Sequence, residues 1–197
     1  MPVVGSHQYP TMESVIYGKP APEALREEAE RLGARRVYLI ASRTLNTTTD
    51  EIEKIRSALG ERHAATFDGV PQHTTREVVT QIARQARDAQ ADLVVAIGGG
   101  SVVDAAKIVL MCMEHEIFEP RGLDGFETTP DRRFGPFRTP KVRMIAIPST
   151  LSGGEYNSGA LVTDSGRKLK QIFNHPMMMP RSIILDPAIT RYNSARR

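Results

Sequence analysis

Apolar positions in this chain follow two alternating patterns. Short continuous runs read as strands buried on both sides, namely Val37-Tyr38-Leu39-Ile40-Ala41, Leu93-Val94-Val95-Ala96-Ile97 and Met144-Ile145-Ala146-Ile147. Ala64 to Phe67, Gly159 to Thr163 and Ser182 to Leu185 are further strand candidates. Between these runs the spacing changes to the helical period. Pro22 to Leu32 reads as a helix ending at Gly33. Thr49 to Leu59 places Ile52, Ile55 and Leu59 on one face, with Gly60 beyond. Thr75 to Ala89 carries the stripe Val78, Val79, Ile82 and Ala86, and Ser101 to Glu114 follows the clearest strand as another helix. Glu116 to Lys141, broken by repeated Pro and Gly, reads as a loop.

Strands alternating with helices through short connections predict an α/β fold: a mostly parallel sheet with helices on both faces. The 197 residues are enough for one good-sized core. Hydrophobic residues at 40% and charged residues at 25% are ordinary for a globular protein. The formal charge of +3 is spread along the chain, and no basic run interleaved with aromatics suggests a nucleic-acid partner. Met1 to Gly5 lacks the pattern of a signal peptide, and no apolar stretch approaches membrane-span length, so no membrane role and a cytoplasmic location are expected. The single cysteine, Cys112, lies in an apolar run and reads as a buried thiol.

Candidate chemistry begins where the run Leu93–Ile97 ends. Gly98, Gly99 and Gly100 allow positive φ and leave no β-carbons in the way, so backbone N–H groups can close on a ligand. The helix that follows points its positive end at the same place, which favours an anion such as a phosphate. Ser101 is a natural N-cap, with Asp104 three residues on in a capping-box arrangement. A structural glycine turn is the competing reading. The loop Pro148 to Glu155 also follows a strand and offers the hydroxyls of Ser149, Thr150 and Ser152. It reads either as a ribose- or phosphate-facing loop or as a polar surface turn.

The run Gly98-Gly99-Gly100-Ser101-Val102-Val103-Asp104-Ala105-Ala106-Lys107, with Ile147-Pro148-Ser149-Thr150, Asp164 and Asp186-Pro187, resembles the iron-containing alcohol dehydrogenase superfamily. Phe67 to Thr74 and Leu151 to Asn157 are similar to its maleylacetate-reductase-like branch. The resemblance runs from about Tyr17 to Tyr192 and implies a Rossmann-like domain over residues 1–192 that binds NAD or NADP, with 193–197 a tail unlike the family. It further implies hydride transfer between the nicotinamide and a small alcohol or carbonyl substrate. By the same carry-over Gly98, Gly99, Gly100 and Ser101 hold the pyrophosphate, Asp104 lies near the cofactor, and Ser149, Thr150 and Ser152 line the ribose and nicotinamide side. Lys170, six residues before Pro176, matches a basic position that reaches the cofactor.

Two departures qualify the resemblance. NAD-preferring relatives often carry Asp near Ser42, where a carboxylate binds the ribose 2′-OH and repels a 2′-phosphate. Ser42 beside Arg43 lifts that repulsion, so NADP is admitted, or Arg43 simply covers the surface. The family's divalent metal, iron or zinc, is held by Asp and His ligands beyond Asp186-Pro187 in an all-helical C-terminal domain, and neither is expected in this chain. The expected enzyme is thus the cofactor-binding half of an oxidoreductase, with a homodimer or a separately supplied helical domain as partner. The alternative is a module that binds the dinucleotide without turnover. No catalytic residue is assigned. His7, His63, His73, His115 and His175 form no ligand pattern. His73 and His175 fall in loops that could approach a substrate or merely be polar. Glu155 reads as facing the nicotinamide or as a loop hydrogen-bond partner. Met177-Met178-Met179 reads as packing.

Overall fold

The structure, a computed structural model, describes residues 11–192. The expectations drawn from Met1–Gly5, His7 and residues 193–197 lie outside the described residues. Six parallel strands make one sheet in the order β1-β8-β5-β4-β2-β3. They are β1 (Ser14–Tyr17), β2 (Val37–Ala41), β3 (His63–Phe67), β4 (Leu93–Gly98), β5 (Arg143–Pro148) and β8 (Ser182–Leu185). The central register aligns Ala41 with Ile97 and Gly98 with Pro148. Successive side chains along β2, β4 and β5 go to opposite faces, and each face has its own core. On one face Val37, Leu39, Val95 and Ile145 meet α1 (Ala21–Arg31) and α3 (Glu51–Leu59). On the other, Tyr38, Ile40, Val94 and Met144 meet α4 (Arg76–Asp88) and α5 (Gly100–His115). Helices on both faces explain why the central strands are apolar without a break.

The chain leaves β2 toward the β3 edge and leaves β4 toward the opposite edge. The connections after these neighbouring strands therefore diverge to the two faces, which opens a crevice at their carboxyl ends. Helix α5 runs back from that crevice with ten of its residues buried. Its outer side is covered by an antiparallel hairpin of β6 (Gly159–Asp164) and β7 (Leu169–Asn174) that stands apart from the main sheet.

Several elements differ from the sequence reading. The expected strand at Gly159–Thr163 exists but belongs to the hairpin. Its partner β7 escaped notice because it alternates Lys170 and Ile172 outward with Gln171 and Phe173 inward, a half-exposed pattern with polar residues on both sides. The edge strand β1 is only four residues long and half-exposed. The short helix α2 (Arg43–Thr48) has one buried residue, Leu45, and so no stripe to reveal it. Glu116–Lys141 contains a 3-10 turn at Pro120–Leu123 and an isolated antiparallel bridge between Thr129 and Arg132, and the rings of Phe126 and Phe137 pack with those of His115 and His175. Cys112 is fully buried, and burial pushes its thiol pKa far up. Met178 and Met179 are buried packing residues. Among the described residues no helix is long and apolar enough to cross a membrane.

Candidate functional site

Three connections meet at the carboxyl ends of β2, β4 and β5. The Ser42 N–H donates to Ile97 O at 2.7 Å, and the Ser149 N–H donates to Gly98 O at 2.9 Å, so the ladder extends one residue past each strand. The glycine loop sits between the other two. None of Gly98, Gly99 and Gly100 has positive φ, contrary to one reason offered for them. Space is what they supply. A β-carbon at Gly98 would lie 2.8 Å from Val102 Cγ2 and 3.3 Å from Ser42 Cβ. One at Gly99 would lie 3.2 Å from Thr150 Cγ2, and one at Gly100 3.2 Å from Ser152 Cβ. The second loop thus rests on the bare backbone of the first.

The capping box is not formed. Helix α5 starts one residue earlier than the sequence suggests, with Gly99 at the N-cap and Ser101 inside the first turn. Gly99 brings no side chain to cap the first-turn amides, which leaves that end suited to an exogenous anion. Ser101 is fixed through its carbonyl, which accepts from Thr74 Oγ1 at 2.8 Å. That contact brings the neighbouring His73, exposed and at φ 63°, beside the same turn.

Asp104 is half-buried one turn in, and burial raises its pKa, opposed by the charge of Lys107, the backbone N–H of Leu161 and the charge of Lys170. Lys170 is exposed on β7, opposite Thr163. A groove of about 430 Å³ runs between the glycine loop and the hairpin. Gly100, Asp104, Ser152, Asn157, Leu161 and Ile172 are among the residues that line it. Leu161 and Ile172, a cross-strand pair, are 42% and 50% exposed and offer an apolar wall. Ser149 is buried at the strand end, while Thr150 and Ser152 stand over the glycines. On the far side Ser42 occupies the N-cap of α2 with no side-chain capping bond, and Arg43 is exposed beside it.

The cofactor-binding candidates named from the sequence therefore gather at the carboxyl ends of β2, β4 and β5 and along the adjoining flank of α5, whereas His63 begins β3, His115 ends α5 and His175 follows β7. His175 packs on Phe137, 5.7 Å between ring centroids, and Phe137 in turn meets His115 at the other end of the 16-residue α5. The neighbour of His175, Asn174, pairs with Gly159 at the start of β6. Glu155 is buried, and its Oε2 has no partner among the described residues.

Sequence reasoning missed Lys107. It is 0% exposed, yet it sits in the apolar middle of α5. Its Nζ donates to Gly154 O at 2.7 Å, Asn157 Oδ1 at 3.1 Å and Gly159 O at 2.7 Å. The signal was a lone lysine within the apolar run Ala105–Cys112, since lysines are almost never fully buried without partners.

The bare glycines, the uncapped helix end and the adjoining groove fit a phosphate-bearing nucleotide. Among the described residues no group of three or more His, Cys, Asp or Glu side chains is placed to hold a metal ion.

Comparison with known proteins places the chain in a family. The family model described as iron-containing alcohol dehydrogenase matches residues 12–187. The dehydrogenase FUM7 of Gibberella moniliformis is 32% identical over 92% of this chain and 44% of that relative. Maleylacetate reductase 1 of Cupriavidus pinatubonensis is 29% identical over 89% of this chain and 41% of its own length. The structure of sulfoacetaldehyde reductase from Bifidobacterium kashiwanohense in complex with NAD+ superposes with a TM-score of 0.84 at 18% identity, covering 98% of this chain and 48% of that one. This last likeness speaks for the fold. The chain spans less than half the length of these relatives.

Proposed function

We propose a function from one premise: this chain belongs to the iron-containing alcohol dehydrogenase family. Its relatives are oxidoreductases, and its own residues supply the cofactor-binding half of such an enzyme. The observation that carries the reading is the bare-backbone cradle. A β-carbon at Gly99 or Gly100 would press on Thr150 or Ser152 at 3.2 Å, and the two glycines open the positive end of a largely buried helix. In this reading the first-turn amides and Ser101 hold the pyrophosphate of NAD or NADP. Thr150, Ser152 and Ser149 face the ribose and nicotinamide side, Asp104 borders the groove beside Leu161 and Ile172, and the charge of Lys170 acts on Asp104. The nicotinamide, when bound, gives or takes a hydride from a small alcohol, carbonyl or oxo-acid carbon. The contribution of these residues is to bind and orient it.

Ser42 and Arg43 bear on the choice between the two dinucleotides. No carboxylate stands at Ser42 to repel a 2′-phosphate, and the exposed Arg43 guanidinium is next to it, so NADPH is accepted alongside NADH. A second reading is a module that binds the dinucleotide without turnover.

One titration tests the binding claim. The chain has no tryptophan, so NADH and NADPH are followed by their own fluorescence. Saturable binding of at least one is expected, and binding of neither overturns the proposal. An aldehyde and oxo-acid reduction assay on the same sample separates the two readings: turnover supports the first, and binding alone the second.

A further inference from the structure

The second loop has little regular structure of its own to hold it. Between Ser149 and β6 it makes one 3-10 turn at Gly154–Tyr156, entered through Gly153 at φ 71°. Its local side-chain bonds at the tip are long, 3.4 Å from the Gly154 N–H to Ser152 Oγ and 3.4 Å from Asn157 Nδ2 to Gly153 O, and the turn itself closes through the Tyr156 N–H to Gly153 O at 3.1 Å. Leu151, near its tip, is fully exposed. Against this stand the three bonds of Lys107 to Gly154, Asn157 and Gly159. They match the three donors of an ammonium one for one. Asn157 Oδ1 is further shared with the Gly159 N–H at 2.9 Å, so both ends of the turn converge on one nitrogen.

Lys107 extends from the same helix whose first turn forms the glycine cradle, two turns further along. One rigid element therefore builds the first loop at its end and grips the second from its side. We propose that Lys107 is a positioning residue that locks the 150–159 segment against Gly99 and Gly100, and so sets the shape of the dinucleotide cleft. The effect on cofactor affinity rests on the function proposed above, whereas the lock itself does not.

An ammonium buried in an apolar helix is a costly way to stabilise a fold, and an apolar replacement of similar length often leaves stability unchanged or higher. What such a group can add is a single arrangement of a segment that otherwise has several. The lock also has a pH limit. Burial pushes the Lys107 pKa down to about 8, with the carboxylates of Asp104 on its own helix and Glu155 in the 3-10 turn acting the other way. Above that pH the amine keeps two donors for three acceptors, and the loop loosens. Global stability moves oppositely. The folded chain gives up this proton before the unfolded chain, whose lysine titrates near 10.5, so this group's contribution to stability rises with pH between the two values. A residue that merely supported the fold would move affinity and stability together.

The test is amide hydrogen exchange on wild type, Lys107→Met and Asn157→Ala at pH 7.5, with NADH titrations from pH 7 to 9.5. Exchange across 150–159 is expected to rise about tenfold in Lys107→Met while β4 and α5 stay protected, with a smaller rise in Asn157→Ala. NADH affinity is expected to fall about tenfold in Lys107→Met. It should fall through pH 8 in wild type and show no such step in the variant. Should Lys107→Met fail to fold, Asn157→Ala decides, because it removes one acceptor from an exposed turn. Unchanged exchange across 150–159 overturns the proposal, whatever the cofactor does. Loosening in a chain that never binds a dinucleotide would sink the proposed function and leave the lock standing. Loosening with full affinity and no step at pH 8 would overturn the claim that the lock shapes the cleft.

Discussion

The glycine loop at 98–100 is held by what it lacks, and the loop at 149–157 by what reaches it from elsewhere. The first continues a strand with all six residues buried and runs straight into a 16-residue helix, so its backbone is fixed at both ends. The second leaves β5 past Pro148 and passes through an exposed leucine and a left-handed glycine. It is secured by a side chain from α5, 47 to 52 residues distant in sequence. The first is rigid because its neighbours leave no room, and the second because a buried cation has found it. Damage to the first should therefore act by filling space, and damage to the second by releasing motion.

The largest effect is expected for Gly99→Val. The backbone at Gly99, φ −78° and ψ −175°, suits any residue, so valine causes no backbone strain there. Its β-carbon would already crowd Thr150, and its added bulk at the N-cap is expected to hinder a phosphate from reaching the first-turn amides. Dinucleotide affinity should fall by about 100-fold or more, roughly 2.7 kcal/mol. Fluorescence titration checks the loss and a thermal melt checks that the fold survives. Retained affinity would show that the anion does not sit at this cradle.

Gly98→Ala probes the same loop on its buried side. The added carbon would lie 2.8 Å from Val102 Cγ2 and 3.0 Å from Val102 Cβ, so the first turn of α5 must shift. Such overpacking costs about 1–3 kcal/mol. In a chain of this size that is a fall in thermal midpoint of about 2–4 °C per kcal/mol. A midpoint equal to wild type would mean that the helix start yields freely, and the contrast between the two loops would weaken.

This contrast also governs what was legible in the sequence. The central strands and α1, α3, α4 and α5 were readable because each buries a continuous run or a regular stripe, and the glycine loop because its cause is local. The cradle's place at a sheet edge followed from the same pattern. Lost were the elements whose order comes from distant partners: β7, which needs β6 and the flank of α5, and β1, which needs β8. The N-cap of α5 was misplaced by two residues, at Ser101 instead of Gly99, because Ser101 is a better isolated N-cap than glycine, whereas the crowding by Thr150 and Ser152 that selects glycine is tertiary. Lys107 stood in plain view as a cation among apolar residues, but its acceptors are two backbone carbonyls and an amide oxygen, which no residue pattern announces.

A third substitution sharpens the comparison across the crevice. Ser42 touches the glycine loop from the β2 side, 3.3 Å from where a Gly98 β-carbon would lie, and makes no capping bond to α2. Asp is a good N-cap residue and favours a helix N-terminus, so Ser42→Asp should leave stability equal or raise it by about 0.5–1 kcal/mol. The same carboxylate should repel a 2′-phosphate and cut NADPH affinity about tenfold while sparing NADH. Parallel titrations with both nucleotides read the ratio. A ratio that stays fixed would remove Ser42 from the cofactor's ribose and leave Arg43 as a surface residue.

The smallest expected effect comes from Ser152→Ala, and it bears most directly on how the second loop works. The substitution keeps the β-carbon that lies over Gly100 and deletes only Oγ, which accepts the long bond from the Gly154 N–H. With Lys107 holding the loop, that bond adds little to its position, and the hydroxyl can give the cofactor one hydrogen bond, about 0.5–1.5 kcal/mol. NADH affinity should therefore fall only about two- to tenfold, with exchange across 150–159 unchanged. If Ser152→Ala instead loosened the loop as much as loss of the lysine, the loop's order would be local after all. Its chemistry would then have been as readable in the sequence as that of the glycines, and the two loops would differ in composition but not in how they are held.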